Sequence, residues 1–315
     1  MIKIKNCILC GNYKFNPLYA SRDRMFNLPG NFFVKKCSQC ALVVLDPQPG
    51  KEVLKKHYPS LNYYSYVKNK KRGFFEILRT YLIKHYYSPT LLSLLISNLI
   101  QKVPAIPGTF IENGKIMDLG CGTGDTLLLL RDLGWNTFGI EMDGNAIGNA
   151  RKRGLENVKL GTYEALAQYP DNYFDVIRLY HVIEHVDNPS LCLNLIKKKL
   201  KKGGELIMGT PNAESLVSKL FKSLWYNLDS PRHLFIFSPV TLRKLVEKQG
   251  FVAKKIEFGS AGGIVGSIQY FINDIFGKKV DLIHSLPVVL LFYPIEWLLD
   301  KFSLGDVFTV RASKK

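Results

Sequence analysis

Three groups of residues in this chain have types and spacings that could do chemistry. The first is Ile116-Met-Asp-Leu-Gly-Cys-Gly-Thr-Gly-Asp125 with Glu141 after it. An apolar strand, 115–119, runs into Gly120, Gly122 and Gly124, and a helix over 126–133 follows at once. Glycines at such a bend open backbone conformations closed to other residues and let a ligand come close. The free amides at the helix start favour a negatively charged group. A second strand, Asn136–Glu141, ends in a carboxylate that can accept hydrogen bonds from two neighbouring ribose hydroxyls. Together these predict a nucleotide-type site. A dinucleotide fingerprint needs glycine at 125, where Asp125 stands, and no Gly-Lys-Ser/Thr of a P-loop is present.

The second group is Leu179-Tyr-His-Val-Ile-Glu-His185-Val-Asp-Asn-Pro189, joined by His233 in the segment 225–235. Histidine has the pKa of a general base, so His181, His185 and His233 are the candidates for taking a proton from an acceptor hydroxyl. The same residues spell H-x-x-E-H, a zinc-protease pattern that needs a helix to aim both histidines at one metal. Here the pattern begins at a strand end, which argues against it. The third group is Cys7, Cys10, Cys37 and Cys40, two C-x2-C pairs whose four thiolates suit one tetrahedral Zn2+. Four sulfur ligands leave no open position, so that zinc is expected to be structural, in a ribbon with a hairpin between the pairs. Redox pairs or incidental thiols are the plainer alternative.

D-x-G-x-G-x-G with an acid closing the second strand resembles the class I S-adenosylmethionine-dependent methyltransferases. Glu-His-Val followed by Asp-x-Pro at 184–189 is similar to methyltransferases of the ubiquinone pathway and of sugar modification. The resemblance implies S-adenosylmethionine as cofactor, held by Asp118, Gly120, Gly122, Gly124, Glu141 and Met142, with Tyr180 along its methionine portion. It also implies that segment 225–235 lies on the acceptor side. Thr162 stands where many relatives have an aspartate near the adenine, and a hydroxyl can still bond an adenine edge. Some ubiquinone-pathway relatives have a second glutamate where this chain has His181, which leaves a divalent metal near Glu184 and His185 an open question.

The elements that would position these groups alternate strand and helix. After the first two strands come a helix at 144–153, strands at 157–160 and 174–181, and a helix at 188–200. A strand at 204–209, a helix at 238–249 and strands at 251–258 and 307–312 complete the series. The expected fold class is α/β, a Rossmann-like seven-stranded methyltransferase sheet with a small N-terminal zinc ribbon; the antiparallel seventh strand is implied by the resemblance. The expected domains are a zinc-ribbon-like module at 1–45, a helical cap or linker at 46–110, and the S-adenosylmethionine-binding core at 111–315. An apolar insertion at 259–305 interrupts that core. It could cap the substrate pocket, form a dimer face or rest on a bilayer interface, and cap packing is the leading expectation. The tyrosine-rich stretch His57–Tyr66 is expected to pack rather than to bind.

Composition bounds the rest. The chain has 315 residues, 47% hydrophobic and 22% charged, as in a folded globular protein. Its formal net charge of +17 implies attraction to phosphate-bearing partners: nucleotide-linked substrates, nucleic acid or an anionic membrane. The N-terminus lacks a secretory pattern and no apolar run reaches the roughly 18 residues of a spanning helix. A cytoplasmic protein with no transmembrane segment, open to peripheral membrane contact, is expected. The acceptor expected is a small molecule, a nucleotide- or lipid-linked sugar, or a lipid-like compound. RNA is the alternative, weakened by the missing Asn/Asp-Pro-Pro-Tyr/Phe signature; a non-catalytic binding protein is a second alternative, opposed by the intact glycine loop.

Overall fold

A computed structural model describes residues 1–58, 74–99, 106–260, 262–277 and 279–315. The tyrosines at 63–66 and the basic run at 68–72 lie outside them. Two strands, β1 (Phe15–Ser21) and β2 (Phe32–Cys37), form the hairpin expected between the cysteine pairs, and β3 (Val43–Leu45) extends it antiparallel. Three helices follow: α1 (Lys51–Lys56), α2 (Phe74–Lys84) and α3 (Leu91–Leu99).

The alternating part begins with β4 (Lys115–Leu119), α4 (Asp125–Asp132), β5 (Asn136–Glu141), α5 (Gly144–Lys152) and β6 (Val158–Leu160). It continues through β7 (Phe174–Tyr180), α6 (Pro189–Lys199), β8 (Leu200–Pro211), α7 (Leu216–Phe221), β9 (Phe235–Ile236), α8 (Pro239–Lys248) and β10 (Phe251–Phe258). The last elements are α9 (Gly263–Phe276), α10 (Leu286–Lys301) and β11 (Val307–Lys314). Local chemistry sets several helix starts. The Asp143 carboxylate accepts from Ala146 N at 2.8 Å, Asn188 Oδ1 accepts from Leu191 N at 3.0 Å, and Ser238 with Thr241 makes a capping box. Each such cap is worth about 1 kcal/mol.

Seven strands form one sheet in the order β10-β11-β8-β7-β4-β5-β6. Strand β11 runs antiparallel to both neighbours, while the pairs among β4 to β8 are parallel. This is the expected Rossmann-like methyltransferase sheet. Strands β4 and β7 lie at its centre and read as near-continuous apolar runs, as strands covered on both faces must. Strand β8 starts at Leu200, earlier than the expected 204. Leu200 pairs with Phe174 before an irregularity that skips to the Val176–Glu205 pair, so residues flanking the Gly203-Gly204 turn join the ladder.

The cysteine-bearing residues share a sheet and a core with the rest of the chain. Strand β3 pairs with β9, Val43 opposite Ile236 and Val44 opposite Phe235. Leu42 and Val44 are buried in the same cluster as Leu234, Phe235 and Phe237. The insertion folds as the hairpin α9–α10. In the first half of α9 Val265, Gly266, Ser267 and Tyr270 are buried. In α10 the one buried residue is Glu296.

Candidate active site

The glycine loop adopts the conformations its composition foretells. Gly120, Gly122 and Gly124 all have positive φ, at 72°, 53° and 80°. A Cβ at Gly120 would overlap Val182, and one at Gly124 would overlap Leu155, so substitution meets both strain and steric conflict. Glu141 is buried at the end of β5. Its Oε2 accepts from Gly122 N at 2.9 Å, and its Oε1 accepts from Met142 N at 2.7 Å and Asp143 N at 3.0 Å. Burial raises its pKa, and the three amides oppose that rise. A carboxylate has about four acceptor positions, so one on Oε2 is left for a ribose hydroxyl. The preset carboxylate and the cleared loop fit the nucleoside end of S-adenosylmethionine.

The other predicted cofactor residues lie in different settings. Met142 is an exposed side chain beside Glu141. Thr162 lies at the surface, and its hydroxyl donates to Glu164 Oε2 at 2.5 Å. Tyr180 ends β7, where a Cβ at Gly209 would overlap its ring. Asp118 faces along the sheet to Arg178, with Nη1 to Oδ2 at 2.5 Å. Burial raises the Asp118 carboxyl to about 6 despite Arg178, and Glu141 adds to the rise. No motif points to Arg178. Its one signal in the sequence is a charge inside an apolar strand, which must find a partner.

Beyond β7 the chain turns sharply, with His181 at φ 55°. His181 Nδ1 stands 3.2 Å from Glu184 Oε1, and Glu184 is fully buried. Burial alone would raise the Glu184 pKa, but the His181 hydrogen bond and the neighbouring imidazoles of His181, His233 and His185 hold it at about 2. Among the described residues its Oε2 has no hydrogen-bond partner. The rings of His185 and His233 are 4.6 Å apart and nearly perpendicular. His185 Nδ1 lies 3.1 Å from the Arg232 carbonyl and 2.8 Å from the Tyr58 hydroxyl. His233 Nδ1 lies 2.9 Å from the Asn227 carbonyl. A carbonyl only accepts, so His233 Nδ1 carries the proton and its Nε2 keeps the lone pair, while His185 Nδ1 faces both a carbonyl and a hydroxyl able to donate.

Both histidines are held neutral. Burial and His233 lower the His185 pKa to about 4, while burial lowers that of His233 against the opposing pull of Asp229 and Glu184. His233 Nε2 lies 3.9 Å from Glu184 Oε1 and 3.8 Å from Asp229 Oδ2. The three expected histidines thus meet around one buried carboxylate. Ligand atoms of Glu184, His185 and His233 fall within 4.8 Å of one another, a donor set that could hold a divalent cation.

A second buried network, to which no sequence motif points, fixes the loop that carries His233. Arg232 is fully buried. It donates to Asp23 through Nη1 at 2.9 Å and Nη2 at 3.1 Å, and to Asp229 through Nε at 2.9 and 3.0 Å. It also donates to the His57 carbonyl at 3.0 Å, and His57 Nδ1 contacts Asp23 at 2.7 Å. On the opposite side, Asp306 accepts from Ser215 at 2.8 Å, Trp225 at 2.6 Å and Asn227 at 2.5 Å.

Cys7, Cys10, Cys37 and Cys40 converge, with all four sulfurs within 4.8 Å. Cys7–Cys40 and Cys10–Cys37 sulfurs are 3.4 and 3.6 Å apart. A disulfide needs about 2.05 Å, whereas a tetrahedron with Zn–S near 2.3 Å has edges of about 3.8 Å. The cluster fits zinc. Burial raises the Cys37 thiol, but the amides of Cys40 and Gln39 bring it down to about 7.

The methyltransferase domain family matches residues 91–255, more than half of the chain. The chain belongs to that family, and its fold is that of the class I S-adenosylmethionine-dependent methyltransferases. Among curated relatives, the ubiquinone biosynthesis O-methyltransferase of Hydrogenovibrio crunogenus is 31% identical over 107 residues, covering 32% of this chain and 44% of that protein. The protein of the same description from Idiomarina loihiensis is 28% identical over 125 residues, 36% of this chain and 51% of its own. The chain spans about half the length of these relatives. A SAM-dependent methyltransferase from Archaeoglobus fulgidus is similar in structure, with TM-score 0.46 and 22% identity over 77% of this chain and 100% of that one.

Proposed function

We propose that the chain transfers the methyl group of S-adenosylmethionine to a hydroxyl of a small, phosphate-bearing acceptor, a nucleotide- or lipid-linked sugar. The observation that carries this reading is neutral, Nδ1-protonated His233 with neutral His185 beside buried Glu184, at the carboxyl end of the central strands where open α/β sheets bind ligands. Ubiquinone biosynthesis O-methyltransferase, the description of the curated relatives, is the O-methylating chemistry that such a base serves.

Asp118, Gly120, Gly122, Gly124, Glu141, Met142, Thr162 and Tyr180 are assigned to the cofactor side. Glu141 takes a ribose hydroxyl, Met142 covers the adenine, and Asp118 acts through its ion pair with Arg178 to stiffen the loop's base. When bound, S-adenosylmethionine supplies an electrophilic methyl group. His233 is the general base. Its Nε2 keeps its lone pair, and Glu184 and Asp229 stand ready to stabilise the imidazolium it becomes. His185, held at about 4, stays neutral and orients; His181 anchors Glu184. The zinc held by Cys7, Cys10, Cys37 and Cys40 is structural. The surplus of 43 basic over 26 acidic residues supports a phosphate on the acceptor.

Labelled methyl transfer tests the reading. Nucleotide-linked sugars and lipid-linked glycans are expected to accept label, and His233→Ala to lower kcat by about 10²–10⁴-fold with donor affinity retained. Label entering structured RNA, with none in any phosphorylated sugar or lipid, would transfer the assignment to RNA.

A further inference from the structure

The insertion hairpin leaves one face of α10 exposed. Of the 16 residues of α10, only Glu296 is buried. Leu291 is 71% exposed and Leu290, Ile295 and Leu298 are each about half exposed. Phe276 at the end of α9 and Phe302 just beyond α10 are also largely exposed, at 65% and 68%. Leu286, Leu290, Leu291, Ile295 and Leu298 recur at helical spacing and form one exposed apolar face, while Glu296 and Leu299 turn toward the protein. Such a face, laid parallel to a bilayer, sinks into the boundary between headgroups and acyl chains.

The charges are sorted to match. The acids of α10 are turned inward: Glu296 accepts from Gly262 N at 2.9 Å and Ile264 N at 3.1 Å, and Asp300 accepts from Ser260 N and Oγ at 2.9 and 2.7 Å. The Lys301 ammonium stands 5.1 Å from the Trp297 ring centroid, an arrangement suited to the headgroup level of a bilayer. A second copy of this chain on the same face would bring two bodies of net charge +17 together, whereas an anionic surface is attracted to one. At 1.5 Å per residue α10 is about 24 Å long, short of the roughly 30 Å hydrocarbon core. It would lie along the surface. No helix among the described residues is long and apolar enough to cross.

The hairpin also sits where such docking would matter. It leaves β10 at Phe258 and enters β11 at Val307, which pairs with Pro211 at the carboxyl end of β8. At its base Ser260 Oγ accepts from Asp306 N at 2.6 Å. Asp306 in turn accepts from Asn227, whose carbonyl faces His233 Nδ1. We propose that α10 and the end of α9 dock on an anionic membrane surface and so hold the His233 side of the site against an acceptor anchored in that surface. This rests on the lipid-linked branch of the function proposed above, and adds that the acceptor is presented by the bilayer.

Flotation of the full chain with vesicles tests this. Equal parts of phosphatidylglycerol and phosphatidylcholine are expected to carry the protein upward; phosphatidylcholine alone is expected to carry little. Leu291→Glu with Leu298→Glu should lower the partition by more than about tenfold, since one buried leucine is worth at least a decade. Calorimetry with S-adenosylmethionine should show the variant's donor affinity unchanged, certifying its fold. Flotation equal in wild type and variant overturns the proposal. So does light scattering that finds a dimer which the variant dissociates, with no flotation in either. Flotation reads no methyl transfer, so its failure is distinguishable from failure of the proposed reaction, which turnover on soluble sugar nucleotides tests by itself.

Discussion

Replacing Asp23 with alanine strips Arg232 of a bidentate partner in a place water does not reach. Both side chains are fully buried, and the pair is closed by hydrogen bonds of 2.9 and 3.1 Å. Asp229 and the His57 carbonyl would still hold the guanidinium, so its charge is not wholly orphaned. His57, however, loses its 2.7 Å partner at the same time. Hydrogen bonds to charged groups contribute about 1.5–3 kcal/mol each, and breaking a buried pair by removing one partner costs about 3–5 kcal/mol. The expected loss is therefore about 3–5 kcal/mol, a large part of the roughly 5–15 kcal/mol net stability of an ordinary domain. Urea unfolding of wild type and Asp23→Ala, with zinc present throughout, reads it as a lower midpoint at unchanged slope. Adding Arg232→Met should deepen the loss, because buried Asp229 then loses the guanidinium that holds it ionised. A loss below about 1 kcal/mol, the scale of exposed pairs, would refute the reasoning that this clamp is buried and shared.

Glu141→Ala should weaken S-adenosylmethionine binding by about 1.5–3 kcal/mol, or roughly 10- to 150-fold, measured by calorimetry; equal affinity, or tighter binding of NAD than of the methyl donor, would dismiss the assigned cofactor side. Elemental analysis should find about one zinc per chain and Cys37→Ser should lose it, while the thiols of Cys121 and Cys192, raised by burial, should resist alkylation in the native protein. His185 has a folded pKa near 4 against 6.5 unfolded. Between those values the unfolded chain binds a proton that the fold refuses, so this contribution is complete above pH 6.5 and falls as pH drops toward 4. Relative to His185→Gln, wild type should lose up to about 3 kcal/mol over that window, and parallel pH–stability curves would contradict the assignment.

What is legible in the sequence is local. The glycine bend, the acid closing β5 and the cysteine pairs each lie within a few residues of their partners, so type and spacing reveal them. The Asp23–Arg232 clamp joins residues 209 positions apart, and no periodicity connects them. His233 stands out as a histidine, whereas nothing local marks Arg232 beside it as the residue that ties its loop to the N-terminal segment. Strand β9, only two residues long, is beyond any pattern, and with it the sheet that the cysteine-bearing strands share with the core. The apolar composition of α10 is plain in its residues. Its exposure is not, because a core helix and a surface-seeking helix have the same letters.

The segment between β8 and β9 ties the cysteine-bearing strands and the apolar hairpin to one another. Its middle is gripped from two sides: Arg232 by Asp23 and His57, and Trp225 with Asn227 by Asp306 at the base of the hairpin. Those grips set two backbone carbonyls, Arg232 O and Asn227 O, against the Nδ1 atoms of His185 and His233. The tautomer of His233 is thus decided by a part of the chain that carries none of the proposed reacting groups. Shifting the Asn227 carbonyl would remove the acceptor of Nδ1–H and let the proton move to Nε2, leaving the wrong nitrogen basic. The proposed donor side, by contrast, is built on Gly122 and Glu141, whose hydrogen bonds stay within β4, β5 and their turns. Damage at the zinc cluster or at the hairpin base should therefore separate the two halves of the reaction, sparing the methyl donor and disabling the acceptor side.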